Sequence, residues 1–163
     1  MPTPRLERVV SGGQTGVDQA ALRAAKAAGL ATGGWMPLGF LTEDGRRPDM
    51  ADAYGMKAAR TPDSPTRTRM NAKDSSATIW LGPTGCAGWV ATAAAVRRYG
   101  RPMLVVEPGV TTPRMVADFL TANRVRTLNI AGPRESTSPG IGERAEAFLA
   151  RLFRMLAQEP TSL

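Results

Sequence analysis

Apolar positions fall into short β-branched runs that take turns with helical stripes, and glycine-containing turns separate the two. Val9-Val10 leads through Ser11-Gly12-Gly13-Gln14-Thr15-Gly16 into Asp18 to Ala28, where Ala20, Ala21, Leu22, Ala24, Ala25 and Ala28 give a small-residue helical face that Gly29 ends. Leu30 to Pro37 reads as a short strand running into a second glycine-rich loop, and Thr66 to Lys73 as a short helix. Ala77 to Leu81 is a strong strand, and Gly82 to Gly88 is the turn after it. Trp89 to Tyr99 is a helix stopped by Gly100, and Met103 to Val106 is the next strand. Thr111 or Thr112 can cap a helix that has Pro113 in its first turn. Val125 to Ile130 is the last strand, Ala131 to Ser136 its turn, and Gly142 to Leu156 a terminal amphipathic helix, with a frayed tail from Gln158.

Leu38 to Pro65 lacks this periodicity, being rich in Gly, Pro, Asp and Arg. The expectation there is an irregular excursion with at most a short helix over Met50 to Ala59, and no chemistry is assigned to Glu43, Asp44 or Asp52. Alternating strands and helices predict an α/β protein, a Rossmann-like doubly wound and mostly parallel sheet with helices on both faces. The carboxyl ends of parallel strands share one edge, so the glycine turns should converge on a single rim where ligands bind.

Composition narrows the chemistry more than the fold. At 163 residues, 42% apolar, a single domain spanning 1–163 with its core over about 8–156 can bury enough surface without metal or disulfide staples. Histidine is absent and Cys86 is the one cysteine, which removes disulfide frameworks, zinc fingers and His-based triads or dyads within one chain. No run is long enough to span a bilayer and Met1 to Arg5 lacks a signal-peptide centre, so the expected location is the cytoplasm. The net charge is +7, carried by 18 Arg and 3 Lys against 14 acidic residues. Arginine suits phosphate and carboxylate, yet scattered arginines also make an ordinary solvated surface.

Several residues have two readings. Gly12, Gly13 and Gly16 can admit a phosphate to backbone N–H groups at a helix start, or simply make the turn; the spacing is neither the dinucleotide fingerprint nor the P-loop. Thr15, Thr84 and Thr92 can donate to phosphate or cap helices. Asp18 suits a first helical turn with or without a ligand. Arg134 is the best candidate for an anion clamp, with Glu135 beside it as a possible ion-pair partner. Trp35 and Trp89 can stack on a planar ring or pack in the core, while Trp80, in mid-strand, is core. Cys86 can touch a soft metal, but one thiol is far short of a site.

Taken together, Ser11-Gly12-Gly13-Gln14-Thr15-Gly16-Val17-Asp18, Thr32-Gly33-Gly34-Trp35, Asn71 with Asp74, and Asn129-Ile130-Ala131-Gly132-Pro133-Arg134-Glu135-Ser136 resemble the molybdenum carrier family. That family is a circularly permuted branch of the SLOG superfamily, which also holds the lysine-decarboxylase-like phosphoribohydrolases. The resemblance covers about Arg8 to Leu156. It implies a self-associating Rossmann-like protein, dimer or tetramer, that holds a phosphorylated ligand across its glycine loops. The implied ligand is molybdenum cofactor (molybdopterin), a pterin with a phosphate tail and a dithiolene-held metal, with a nucleotide or another phosphorylated compound as the alternative.

By position, the resemblance carries cofactor binding to Ser11, Gly12, Gly13, Gln14, Thr15, Gly16, Asp18, Gly33, Gly34, Trp35, Asn71, Asp74, Thr84, Gly85, Gly88, Trp89, Thr92, Gly132, Pro133, Arg134, Glu135 and Ser136, with no catalytic or metal-ligating residue. The third loop departs from the family. Relatives carry Gly-Gly-Thr-x-x-Thr where this chain has Ala87-Gly88-Trp89-Val90-Ala91-Thr92. A ring replaces a hydroxyl. The rival reading is a phosphoribohydrolase-like enzyme, but the PGGxGTxxE loop of those proteins supplies a glutamate, and Gly85 to Ala94 contains no carboxylate. A positioned acid or base contributes about 10²–10⁴-fold, so its loss counts against hydrolysis. Nucleic-acid binding has the charge in its favour and neither an aromatic platform nor a basic run.

Overall fold

The computed structural model describes residues 5–159. Its first unit is β1 (Arg8–Val10), the glycine loop, α1 (Val17–Ala27) and β2 (Ala31–Met36), which runs on through Gly33 and Gly34, where a loop is expected, because both pair with neighbouring strands. The chain continues through β3 (Leu41–Thr42), β4 (Gly45–Arg46), α2 (Asp49–Tyr54), β5 (Met56–Ala58) and α3 (Ser64–Lys73). A second unit follows: β6 (Ala77–Leu81), α4 (Ala87–Tyr99), β7 (Met103–Val106), α5 (Pro113–Ala122), β8 (Thr127–Ala131) and α6 (Ile141–Gln158). Six strands form one parallel sheet in the order β5-β2-β1-β8-β6-β7, and β3 pairs with β4 as a separate antiparallel hairpin. This is the expected Rossmann-like doubly wound fold.

The two faces of the sheet differ in chemistry because strand residues alternate. Val9, Ile79, Leu81, Val106, Leu128 and Ile130 point to one face, where α1, α5 and α6 bury them. α6 brings Ile141, Ala145, Phe148, Leu149, Leu152 and Phe153, at helical spacing, and each large apolar side chain buried in this way contributes about 1.5–3 kcal/mol. On the opposite face the register aligns Val10 with Asn129 and Thr78 with Asn129, and α3 and α4 pack there. Asn129 Nδ2 on this face donates to Thr78 Oγ1 at 3.1 Å.

The stretch 38–65 is more ordered than its composition predicts. Its helix covers Asp49–Tyr54 and stops at Gly55 (φ 70°), and Met56–Ala58 then joins the sheet as an edge strand beside Gly34 to Met36. Met36, Met50, Met56 and Leu22 make a small apolar cluster that holds the excursion down. Three strand residues are too few to register as alternation, which is why β5 escapes a reading of periodicity. α3 begins at Ser64, two residues before its expected start, since Asp63 accepts the Thr66 N–H at 2.8 Å as an N-cap. α6 reaches Gln158; the tail expected beyond it falls mostly on residues 160–163, outside the described residues, as do the first four positions. Among the described residues, no helix is long and apolar enough to cross a membrane.

Candidate functional site

The loops after β1, β6 and β8 meet at the carboxyl rim, and α3, running back against the strands, sets its first turns there. Between them lies a cleft of about 180 Å³ lined by Gly12, Asp18, Arg67, Asn71, Trp80, Gly88, Thr92, Gly132 and Arg134, among others. Turns far apart in the chain thus share one surface.

Arg67 is the residue that local sequence did not single out. It is 9% exposed and Asp18 5%, and Arg67 Nη1 donates to Asp18 Oδ2 at 3.1 Å. Its Nε is buried and has no hydrogen-bond partner among the described residues. A guanidinium carries five donors, and a buried one without an acceptor is costly. Burial raises the Asp18 carboxyl above its ordinary value, opposed by the attraction of Arg67 and by bonds from Arg67 and the Gln14 N–H. The pair is therefore poorly solvated.

Gly12 is explained by this pair. A Cβ at that position would lie 1.4 Å from Arg67 Nη1 and 2.8 Å from Asp18 Oδ2. The space left by the missing side chain is filled by the protein's own cation. Gly16 (φ 78°) similarly lies under the β8 loop, its absent Cβ 2.5 Å from the Pro133 carbonyl. Several donors of the first loop are also spent internally. Gln14 N donates to Asp18 Oδ2 (3.2 Å), Thr15 N to Gln14 Oε1 (3.0 Å) and Val17 N to the Pro133 carbonyl (3.3 Å). The start of α4 differs. Cys86 caps it in an extended conformation without a side-chain bond, and exposed Gly88 lines the cleft together with Thr92. Free N–H groups at such a start carry partial positive charge.

The remaining expected site residues sort into three places. Gly34, Trp35, Asn71 and Asp74 line a second cleft, about 170 Å³, with Arg8 and Lys57. There Asn71 clamps the backbone of Trp35, accepting its N–H at 2.8 Å and donating to its carbonyl at 3.1 Å, while Trp35 Nε1 donates to Asp74 at 2.9 Å. Gly33 is buried against Arg8. The second place is the hairpin tip, where Gln14, Thr15 and Ser136 hold Glu43. Thr15 Oγ1 and Ser136 Oγ both donate to its carboxylate, Ser136 N adds a bond of 3.1 Å, and Glu43 N donates to Gln14 Oε1 at 2.9 Å. Bonds from Ser136 and then Thr15 lower the Glu43 pKa, with a smaller contribution from the charge of Arg134. A residue left without assigned chemistry thus sits on the loops expected to face an anion.

Elsewhere the roles are internal. Ser11 is buried and donates to the Ile130 carbonyl at 2.8 Å; Gly13 packs beside Met36; Pro133 is buried. Glu135 does not pair with Arg134, since its carboxylate accepts the Gly140 and Gly142 N–H groups at 2.5 and 3.0 Å and so caps α6. Thr84 and Gly85 are exposed and stand outside the cleft lining. Trp89 packs edge to face on Trp80, centroids 5.6 Å apart at 66°, so its ring covers the core residue rather than the cleft. Among the described residues, no group of three His, Cys, Asp or Glu side chains could hold a metal ion.

Comparison with known proteins agrees with this architecture. Residues 9–153 match the circularly permutated YpsA SLOG family. A crystal structure of a "Putative molybdenum carrier protein" from Syntrophus aciditrophicus SB superimposes with a TM-score of 0.80 at 30% identity, covering 94% of this chain and 97% of that one. No curated protein matches the chain. With the match running from β1 into α6, and the rim built from the loops that carry the motifs, the chain belongs to the circularly permutated YpsA SLOG family.

Proposed function

We propose that the chain is a binding and carrier protein for a phosphorylated small molecule, molybdenum cofactor foremost, gripped by its phosphate in the cleft between the β1 loop, α3 and the start of α4. The observation that carries this reading is Arg67, a buried cation in the cleft wall with an unpartnered Nε. A phosphate oxygen would supply acceptors, and charge-assisted hydrogen bonds of this kind contribute about 1.5–3 kcal/mol each. Arg134, exposed on the same wall, and the first turn of α4 add charge of the same sign. The donor set fits the phosphate end. No protein ligand set for the metal is needed when the pterin's own sulfurs carry it.

Carriage is preferred over hydrolysis because the one carboxylate in the cleft lining, Asp18, is tied to Arg67 and the third loop offers none. We read the protein as self-associating, dimer or tetramer, as the family resemblance implies, and as working in the cytoplasm. Native mass spectrometry with elemental analysis for molybdenum tests the proposal on protein exposed to molybdopterin, nucleoside monophosphates and pyrophosphate. Retention of a phosphorylated compound, weakened about tenfold or more by Arg67→Ala or Arg134→Ala, is the expected result. Protein that ignores all three, or variants that bind as well as the parent, would overturn it.

A further inference from the structure

The β3–β4 hairpin reaches across the rim and puts a carboxylate on a built set of donors. Glu43, one residue beyond β3, accepts from the Ser136 hydroxyl, the Ser136 N–H (3.1 Å) and the Thr15 hydroxyl, and Arg134 contributes its charge nearby. Thr15 Oγ1 in turn accepts the Glu135 N–H at 3.2 Å, which orients its proton toward Glu43. These donors come from the loops after β1 and β8, whereas Glu43 comes from an excursion between them. The hairpin is two residues per strand, its tip is exposed, and Arg47 N to the Phe40 carbonyl (2.8 Å) closes its base. Two-residue strands have little cohesion of their own, so the tip is held largely by what Glu43 touches.

We infer that Thr15 and Ser136 form a second oxyanion seat at the rim, beside the cleft, and that Glu43 fills it from within the chain until an incoming phosphate displaces it and releases the hairpin. The chemistry is that of an exchange between like charges. Two hydroxyls and one N–H satisfy a carboxylate and would satisfy two or three oxygens of a phosphate equally well, and Arg134 favours the more highly charged guest. Both anions cannot occupy the seat together, because like charges at hydrogen-bonding distance repel. The hairpin is then a clasp whose release is coupled to ligand entry. A clasp closed for about nine-tenths of the time weakens the apparent affinity of the seat about tenfold.

This inference assumes a phosphate-binding rim, as the proposed function does, but rests on Thr15 and Ser136 where that reading rests on Arg67, with Arg134 common to both, and the variants at Ser136 and Arg67 keep the two apart. Inorganic phosphate and a phosphomonoester are titrated calorimetrically into the parent, Glu43→Ala, Glu43→Ala/Ser136→Ala and Glu43→Ala/Arg67→Ala, each checked for a cooperative melt; Glu43 and Ser136 are exposed, so folding should survive. Glu43→Ala should bind inorganic phosphate about tenfold more tightly than the parent, the Ser136 variant should cancel the gain, and the Arg67 variant should keep it. A phosphomonoester alone gaining affinity would place the seat's specificity with organic phosphates and still support it. In the parent, added phosphate should speed amide exchange in residues 41–46. A gain cancelled by Arg67→Ala and not by Ser136→Ala would leave the cleft reading standing and overturn the seat. No gain in Glu43→Ala, with hairpin exchange unchanged by phosphate, would make Glu43 a structural staple and end the inference.

Discussion

Gly12→Ala separates two reasons for a glycine in the first loop. One is that a ligand needs the space; the other, which the structure supports, is that Arg67 already occupies it. The added methyl would lie 1.4 Å from Arg67 Nη1, whereas ordinary contact begins at 3.4 Å, so the guanidinium must retreat by about 2 Å. The same methyl lies 2.8 Å from Asp18 Oδ2, so the pair cannot shift together. Gly12 is outside the left-handed region, so alanine adds no backbone strain. Breaking a fully buried ion pair costs about 3–5 kcal/mol. Here the displaced guanidinium can swing into the cleft and regain water, which leaves about 1.5–3 kcal/mol, the worth of one charged hydrogen bond.

At about 2–4 °C per kcal/mol for a chain of this size, a loss near 2 kcal/mol lowers Tm by about 4–8 °C. Urea denaturation of the parent, Gly12→Ala, Arg67→Ala and the double variant gives the cycle. With the guanidinium gone, the methyl should cost at least about 1 kcal/mol less than in the parent, a coupling well above the usual error of additivity. Equal costs in both backgrounds would refute the assignment of Gly12 to Arg67 and return the glycine to the ligand.

Three further outcomes follow from named contacts. The Glu43 pKa lies below its ordinary 4.5, so the stabilisation it brings to the hairpin is present above that value and is lost as pH falls through the lowered pKa; amide protection in residues 41–46 should hold to about pH 4.5 and then drop, and Glu43→Gln should flatten the profile. Asn71→Asp sets a carboxylate against the Trp35 carbonyl in place of a donor, which should cost about 1–3 kcal/mol in urea denaturation and shift tryptophan emission; an unchanged midpoint would mean the clamp on Trp35 does not matter. Gly132→Ala drives a methyl to 2.5 Å from the Leu81 carbonyl and 2.4 Å from Val17, with backbone on one side and core on the other, so a loss of about 2 kcal/mol or more is expected and a normal melt would contradict the packing.

What the chain settles on its own is the alternation. Val9-Val10, Ala77 to Leu81 and Met103 to Val106 are short apolar runs, each followed by glycine and a helical stripe, and local sterics together with right-handed crossovers leave few folds other than a parallel sheet with loops along one rim. The resemblance carried by the Ser11 to Asp18 and Asn129 to Ser136 runs led to the family for the same reason, since those runs are contiguous. Long-range pairings decided the rest. Arg67 stands among polar helical residues whose local pattern is that of a solvated surface, and only the docking of α3 over the β1 loop buries it against Asp18, 49 positions away. Glu43 lies 93 positions from Ser136, in a stretch without periodicity, and meets it because β5 pins that excursion to the sheet edge. Glycine spacing shows that backbones come close. Which group enters the space that a glycine leaves, or meets the donors of these loops, depends on contacts between distant segments, and in this protein the guanidinium at Gly12 and the carboxylate at Thr15 and Ser136 are its own.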